Sequence, residues 1–198
     1  MGIYQQLYEA AVATPSDINE HLTELVHIVQ KLEAKTVIEL GVRYGASTAA
    51  FLHALEQTDG HLWSVDPVRL WNGVPLDRWT FLEGYDTDEH VLAALPEQAD
   101  IIFIDTTHEY LQTRAEIELY RSRVREGGAM IFHDTNVEWF DHHIPQSQPP
   151  FPVRRAVNEL LGDKPHTVFS HNNGLTEVWF IAKQLTQGFD PSTLVDAS

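Results

Sequence analysis

One segment of the chain reads Val37-Ile38-Glu39-Leu40-Gly41-Val42-Arg43-Tyr44-Gly45-Ala46-Ser47-Thr48. Its apolar start predicts a buried strand, and the residues after Gly45 predict the beginning of a helix. Glycines in such a turn let backbone amides approach a ligand at the carboxyl edge of a sheet. A dinucleotide-binding turn would have glycines at positions 41, 43 and 46. Because Arg43 and Ala46 occupy two of these positions, we disfavour a pyrophosphate cofactor such as NAD.

Short apolar runs separated by helical stretches continue on both sides of this turn. The predicted strands are Thr36–Leu40, Leu62–Val65, Trp79–Leu82, Ile101–Ile104 and Ala129–Phe132. The predicted helices between and after them cover 46–57, 88–95, 107–125 and 153–161. Unbroken apolar runs are typical of strands that are buried on both faces of a parallel sheet covered by helices.

The two ends of the chain carry different patterns. Pro15-Ser16 and the helical spacing that follows predict helices within 1–34, and their apolar faces are a candidate surface for a homodimer. Near the other end, Asn173-Gly174 between the β-rich runs 167–170 and 177–182 predicts a hairpin with positive φ at both turn residues. We therefore predict one α/β domain over 1–198, with a Rossmann-like, doubly wound, mostly parallel seven-stranded sheet in 36–183 that ends in an antiparallel hairpin. The irregular stretch Asn136–Pro152 is a candidate lid loop.

Composition excludes several classes of protein. Acidic residues outnumber basic ones 29 to 13, for a net charge of −16, so we expect neither nucleic acid nor an anionic membrane as a partner. The absence of cysteine excludes disulfides, thiolate metal sites and a cysteine nucleophile. Since no apolar run approaches the length of a membrane span and Met1–Gln6 lacks a leader pattern, we expect a cytoplasmic enzyme.

Acidic and imidazole side chains follow two of the predicted strands. Asp105 ends the run Ile101–Ile104, and His133-Asp134 end the next strand. Adjacent parallel strands lie about 4.8 Å apart, so these three side chains are expected to converge at one sheet edge. Two carboxylates there repel each other unless a cation or proton lies between them, and Mg²⁺ suits oxygen ligands. Polar strand ends satisfied by helix caps and water are the alternative.

Another carboxylate stands at the end of the second predicted strand. Asp66 follows Gly41 by 25 residues, and a carboxylate in that place can accept hydrogen bonds from both hydroxyls of a ribose. Its alternative role is to cap the strand end.

Together these motifs resemble the class I S-adenosylmethionine-dependent methyltransferases, over about Thr36 to Lys183. Within that family the chain is most similar to the small O-methyltransferases of catechol and macrolide-sugar type. The resemblance implies S-adenosyl-L-methionine as cofactor and a terminal antiparallel strand.

The resemblance also implies roles for individual residues. Glu39, Gly41, Gly45 and Ser47 would surround the methionine part of the cofactor, Asp66 would bind the ribose, and Gly84, Tyr85 and Asp86 would contact the adenine. Asp105 would border the cofactor and, with His133 and Asp134, hold the metal, although His133 departs from the family's carboxylate or amide ligands.

His108 stands where the family carries its catalytic lysine or histidine. Thr106-x-x-Glu109 reads as a capping box, which predicts that His108 lies in a first helical turn. The positive end of the helix dipole would keep this imidazole neutral and able to accept a proton.

We therefore expect metal-assisted O-methylation of a small-molecule hydroxyl. Trp71, Trp79, Trp139 and Phe140 are candidates for walls of an acceptor pocket, and Asp141-His142-His143 for a solvated or substrate-facing group. Two alternatives remain open: a metal-dependent hydrolase or hydroxylase-like enzyme on the same fold, and a cofactor-binding module without catalysis.

Overall fold

The computed structural model describes residues 2–72, 77–138 and 149–181. The helices are α1 (Ile3–Ala13), α2 (Leu22–Lys31), α3 (Ala46–Thr58), α4 (Glu89–Ala94), α5 (Tyr110–Tyr120) and α6 (Pro152–Leu161). The strands are β1 (Thr36–Leu40), β2 (His61–Asp66), β3 (Trp79–Glu83), β4 (Ala99–Ile104), β5 (Val124–His133), β6 (His166–Phe169) and β7 (Leu175–Trp179). Single 3₁₀ turns, Asn19–His21 and Arg121–Arg123, precede α2 and follow α5.

The seven strands form one sheet in the order β3-β2-β1-β4-β5-β7-β6. Strands β1 to β5 pair in parallel, and β7 pairs antiparallel with both β5 and β6. The strand order reverses at β1, so the segments that follow β1 and β4 lead to opposite faces of the sheet and leave a crevice outside the carboxyl ends of these strands. Such a crevice is the usual ligand site of a doubly wound sheet. The predicted fold class is confirmed.

Apolar side chains cover the sheet on both faces, because successive residues of a strand point to opposite sides. On one face Val37 and Phe103 pack with α2 and α3; on the other, Ile38 and Ile102 pack with α5 and α6. Helix α2 buries Leu22, Leu25, Val26, Ile28 and Val29 within this core. The apolar face of α2 is therefore used inside the chain, and the homodimer stays a prediction.

Two boundaries near β5 differ from the predicted ones. The helix predicted to reach residue 125 ends at Tyr120, and the strand predicted from Ala129 begins at Val124. Arg123 explains the early end, since its guanidinium group donates to the carbonyls of Leu92, Leu95 and Pro96 and so holds the chain beside α4.

The predicted hairpin is present with a different turn. Positive φ occurs at Asn172 (49°) and Gly174 (87°), whereas Asn173 is not among the positive-φ residues. The loop is longer than two residues, because β6 ends at Phe169 and β7 begins at Leu175, and within it the Gly174 N–H donates to the carbonyl of His171. This arrangement frees the Asn173 amide to reach a side chain across the sheet edge.

No described helix is long and apolar enough to cross a membrane. The ends of the candidate lid loop lie together, since the Phe151 N–H donates to the Glu138 carbonyl at 3.0 Å. Most of that loop, with Trp139, Phe140 and Asp141-His142-His143, lies outside the described residues, as do the predicted strand end at Ala182 and the core end at Lys183.

Candidate active site

A cavity of about 940 Å³ opens at the carboxyl edge of the sheet. Its walls come from the turn after β1, the ends of β2, β3 and β4, and the segment Ser16–Ile18 that precedes α2. Residues far apart in sequence therefore meet here only because parallel strands end at the same edge.

Two glycines shape the turn after β1. Gly41 has φ of 92°, and a Cβ atom on it would lie 2.0 Å from the carbonyl oxygen of Asp105. Gly45 has φ of 79°, and a Cβ atom there would overlap the ring of Trp71. Both positions thus require glycine for backbone conformation and for space. Gly41 also lines the cavity, and its contact with a cofactor stays a prediction.

Glu39 supports this turn from within the protein. Its carboxylate is fully buried and accepts hydrogen bonds from the hydroxyls of Ser47 (2.6 Å), Thr48 (2.9 Å) and Ser64 (2.5 Å). Burial raises the pKa of Glu39 to about 7, against the lowering effect of the three hydroxyls. Its hydrogen bonds are therefore with residues that support the turn, whereas the family resemblance implied a place beside the cofactor.

Asp66 holds the outer side of the same turn. Its Oδ2 accepts from the backbone N–H groups of Val42 (2.9 Å) and Arg43 (3.0 Å), and its Oδ1 from that of Val68 (2.9 Å). Asp66 also lines the cavity. The strand-capping role and a place at the ligand cavity are thus combined in one side chain.

Gly84, Tyr85 and Asp86 line the far end of the cavity. The Tyr85 side chain is exposed, whereas Asp86 is buried and accepts from Gln112 Nε2 at 3.1 Å. Gln112 also donates to Glu116, whose pKa is raised to about 8 by burial and by the nearby Asp86 carboxyl group. Gln112 had not been predicted, although it shares a face of α5 with Glu116 four residues later and so could have been found from helical spacing.

A cluster of two carboxylates and two imidazoles lies at one wall of the cavity, which Asp105 and His108 line and behind which His133 and Asp134 are buried. His108 Nε2 lies 3.0 Å from Asp105 Oδ1 and 2.9 Å from Asp134 Oδ2. His133 Nδ1 lies 3.3 Å and 3.1 Å from the same two oxygens. The predicted convergence of Asp105, His133 and Asp134 is therefore what the structure has, with His108 added.

Each group in the cluster shifts the protonation of the others. Burial by itself lowers the pKa of His108, but hydrogen bonds and charge from Asp105 and Asp134 outweigh it and raise the pKa to about 9. Burial also lowers the pKa of His133, but Asp105 and Asp134 outweigh it and raise this pKa to about 10. Despite burial, the imidazoles hold the pKa values of both aspartates below their usual range.

The predicted capping box is absent, and with it the reason for a neutral His108. Helix α5 begins only at Tyr110, and Thr106 Oγ1 donates to Glu116 Oε1 at 2.5 Å instead of capping the helix. His108 lies before the helix with φ of 59°. The prediction of a neutral imidazole was wrong, since the two carboxylates act on it more strongly than the helix dipole does.

Three of these groups are suited to hold a cation. Ligand atoms of Asp105, His108 and Asp134 all lie within 4.8 Å of one another, and within the described residues these form the candidate metal group. The imidazole in this group is His108, whereas the sequence predicted His133. His133 lies behind the carboxylates, with Nε2 directed at the Asp17 carbonyl oxygen at 3.1 Å.

Two neighbours of the cluster had not been predicted. Asn173 Nδ2 donates to Asp134 Oδ1 at 2.7 Å, and the Asp17 carbonyl fixes His133. Asn-Gly could be read from sequence only as a turn, and no sequence pattern indicates a backbone carbonyl partner.

Two of the candidates for the acceptor pocket, Trp71 and Trp79, lie in the part of the chain that the structure describes. Trp79 is buried in the core, where its Nε1 donates to Ser64 Oγ at 2.9 Å. Trp71 packs edge-on against Trp79, and its ring lies in contact with Gly45. Neither tryptophan is among the described residues that line the cavity, and a role at the acceptor pocket stays a prediction.

Comparisons with known proteins agree with this geometry. A family model described as a methyltransferase domain matches residues 38–135. No curated protein matches the chain.

Similar folds occur among solved methyltransferase structures. An O-methyltransferase from Bacillus cereus in complex with S-adenosylhomocysteine is 19% identical, with a TM-score of 0.65 over 89% of this chain and 90% of that one. A methyltransferase from Podospora anserina bound to S-adenosylhomocysteine is 14% identical, with a TM-score of 0.63 over 90% and 88%. An O-methyltransferase of tomaymycin synthesis from Streptomyces achromogenes, in complex with S-adenosylmethionine, is 15% identical, with a TM-score of 0.62 over 90% and 89%. Residues 38–135 therefore match a methyltransferase domain, and the fold of the chain is that of S-adenosylmethionine-dependent methyltransferases.

Proposed function

We propose that this enzyme transfers the methyl group of S-adenosylmethionine to a hydroxyl oxygen of a small molecule. The observation that carries the proposal is the position of His108 between Asp105 and Asp134 at the wall of the cavity. A hydroxyl is a poor nucleophile until it loses its proton, so methyl transfer to oxygen needs a proton acceptor close to the donor. The C–S bond breaks as the C–O bond forms, the hydroxyl proton passes to the protein, and S-adenosylhomocysteine leaves.

For the cofactor, we assign residues along the length of the cavity. Gly41 would face the methionine part, and Glu39, Gly45 and Ser47 would hold the turn that carries it. A carboxylate has about four acceptor positions, and three at Asp66 are used by backbone N–H groups, so one remains for a ribose hydroxyl. Gly84, Tyr85 and Asp86 would border the adenine, with Gln112 orienting Asp86.

His108 would accept the proton, and the two aspartates would orient its ring. An imidazole must be neutral to accept a proton, whereas the raised pKa of about 9 keeps His108 protonated at neutral pH. Turnover near neutral pH therefore requires that the negative charge of Asp105 and Asp134 be compensated by another cation.

A divalent metal fits this requirement. Asp105 and Asp134 would hold it beside the His108 imidazole, and when bound it would lower the pKa of the acceptor hydroxyl and orient it. If His108 were a ligand instead of the proton acceptor, the ligand set would be softer than the all-oxygen set that Mg²⁺ prefers. Mn²⁺ and Zn²⁺ therefore belong in the test together with Mg²⁺.

The test is a methyl-transfer assay against catechols, phenols and sugars, with and without each of these metals. We expect His108→Gln to lower kcat by about 10²- to 10⁴-fold, with unchanged affinity for S-adenosylhomocysteine. The matched control is His166→Gln, since His166 is an exposed histidine on the edge strand β6. Metal affinity is measured in parallel, because it falls in His108→Gln only if the imidazole is a ligand.

Each alternative gives a different result. Absence of S-adenosylhomocysteine binding in calorimetry would favour the hydrolase. Tight binding without any methyl transfer would favour the cofactor-binding module. Full activity of His108→Gln would exclude His108 as the proton acceptor.

A further inference from the structure

The charges that line the cavity are unevenly distributed. Four aspartates line it, namely Asp17, Asp66, Asp86 and Asp105, while Arg43 is the single lysine or arginine among the described lining residues. S-adenosylmethionine carries two positive groups, the sulfonium and the ammonium, and one negative group, the α-carboxylate. The aspartates suit the positive groups, but the carboxylate needs a cation, and the imidazole in the lining, His108, already lies between Asp105 and Asp134.

The backbone of Arg43 has a fixed conformation in the turn after β1. Its φ is 49°, a left-handed conformation that is uncommon for a residue other than glycine. The conformation is held by the Arg43 N–H, which donates to Asp66 Oδ2 at 3.0 Å. The side chain therefore starts from an anchored backbone, two residues beyond Gly41.

The present partners of Arg43 are weak ones, and the first is the exposed ring of Tyr44, whose centre lies 5.5 Å from the guanidinium carbon. The Arg43 Nη1 lies 3.5 Å from Asp17 Oδ2, and the two side chains are 71% and 42% exposed. Ion pairs between such exposed groups contribute little to stability, so the guanidinium group is easily transferred to another anion. Asp17 itself stays in place, because its backbone carbonyl accepts from His133.

We propose that Arg43 binds the α-carboxylate of the cofactor and exchanges Asp17 for it. The inference rests on the proposed function, in which Gly41 and its turn face the methionine part. A guanidinium group matches a carboxylate with two parallel hydrogen bonds, which gives orientation as well as charge. Asp17 then acts as a competitor, since its carboxylate stands beside the same guanidinium group and repels the incoming anion.

The test compares two ligands that differ only in the carboxylate. Calorimetry gives Kd for S-adenosylhomocysteine and for its decarboxylated analogue, which keeps the ammonium group. We expect Arg43→Gln to weaken S-adenosylhomocysteine by about five- to tenfold, as for a partly exposed charged pair, and to leave the analogue unchanged. Asp17→Asn is expected to strengthen S-adenosylhomocysteine severalfold, because the competing charge is removed.

Arg155→Gln is the matched control, since Arg155 is an exposed, ion-paired arginine outside the cavity. Equal weakening of both ligands by Arg43→Gln, or no weakening of S-adenosylhomocysteine, would overturn the inference and leave the proposed function standing. Failure of the unchanged protein to bind either ligand would instead refute the proposed function.

Discussion

Gly41 is the point at which a single methyl group should disturb both the fold and the site. In Gly41→Ala the added Cβ would lie 2.0 Å from the Asp105 carbonyl oxygen and 2.8 Å from its carbonyl carbon. Both atoms belong to the backbone at the end of β4, so no flexible side chain can move aside. The strand end that carries Asp105 would have to shift away from the turn.

The expected loss of stability has two parts. Alanine at a φ of 92° costs about 1–3 kcal/mol, as for other non-glycine residues held in such conformations. Forcing a methyl group into filled space costs about 1–3 kcal/mol more. We therefore expect the free energy of unfolding to fall by about 2–6 kcal/mol.

Gly127→Ala separates the two parts. Gly127 has a similar φ of 81°, but a Cβ atom there would meet only the end of the Arg125 side chain, at 3.1 Å. Its cost should therefore be the conformational one alone, about 1–3 kcal/mol. Urea denaturation followed by circular dichroism gives both free energies, and calorimetry with S-adenosylhomocysteine gives the effect on the cavity.

If both variants lost the same stability, the contact between Gly41 and Asp105 would not be tight, and our reasoning on this turn would be refuted. The same conclusion would follow from undisturbed cofactor binding and activity in Gly41→Ala, because a displaced Asp105 cannot hold His108 in place. A displacement near 1 Å at reacting groups is enough to lower the rate by about a hundredfold.

Three further predictions concern the buried polar groups. Asn173→Ala should lower kcat about tenfold with cofactor affinity unchanged, because it removes a charge-assisted hydrogen bond to Asp134; an unaltered kcat would exclude a positioning role. Metal-free activity should rise with pH up to about 9, because His108 loses its proton there, and a kcat that is independent of pH between 7 and 9 would contradict this. The same raised pKa predicts that the ion pairs of protonated His108 stabilise the fold fully below pH 6.5 and no longer do so above about pH 9. The pKa of Glu39 is raised from 4.5 to about 7, so ionising its carboxyl group destabilises the folded protein. As the pH rises from 4.5 to 7, the free energy of unfolding of the unchanged protein should therefore fall by on the order of 3 kcal/mol relative to that of Glu39→Gln. If urea denaturation gave the same pH dependence of the free energy of unfolding for both proteins, the raised pKa would be disproved.

The fold could be predicted because its signals are local and repeated. Apolar runs gave the strands β1, β2, β4 and β5, since strands buried on both faces must be apolar throughout. The boundaries that were missed depend on distant contacts. The end of α5 is one example, because Arg123 reaches carbonyl groups beside α4 that no neighbouring sequence reveals.

The site was predictable to the extent that topology determines it. Asp105 and Asp134 had to meet because parallel strands end at one edge, and Gly41 was identified by the turn that it permits. The roles of the two histidines were not predictable in this way. They depend on the φ of 59° at His108 and of 58° at Asp134, which turn both side chains toward the same point.

These two backbone conformations link the protonation of His108 to the binding of a metal ion by Asp105 and Asp134. They place the His108 imidazole between carboxylates that both orient it and hold its proton, so the contacts that orient the base also keep it protonated. Any cation that occupies Asp105 and Asp134 removes the cause of the raised pKa and makes His108 a better proton acceptor at neutral pH. A requirement for metal and an alkaline pH limb without metal would then be two consequences of the same pair of hydrogen bonds.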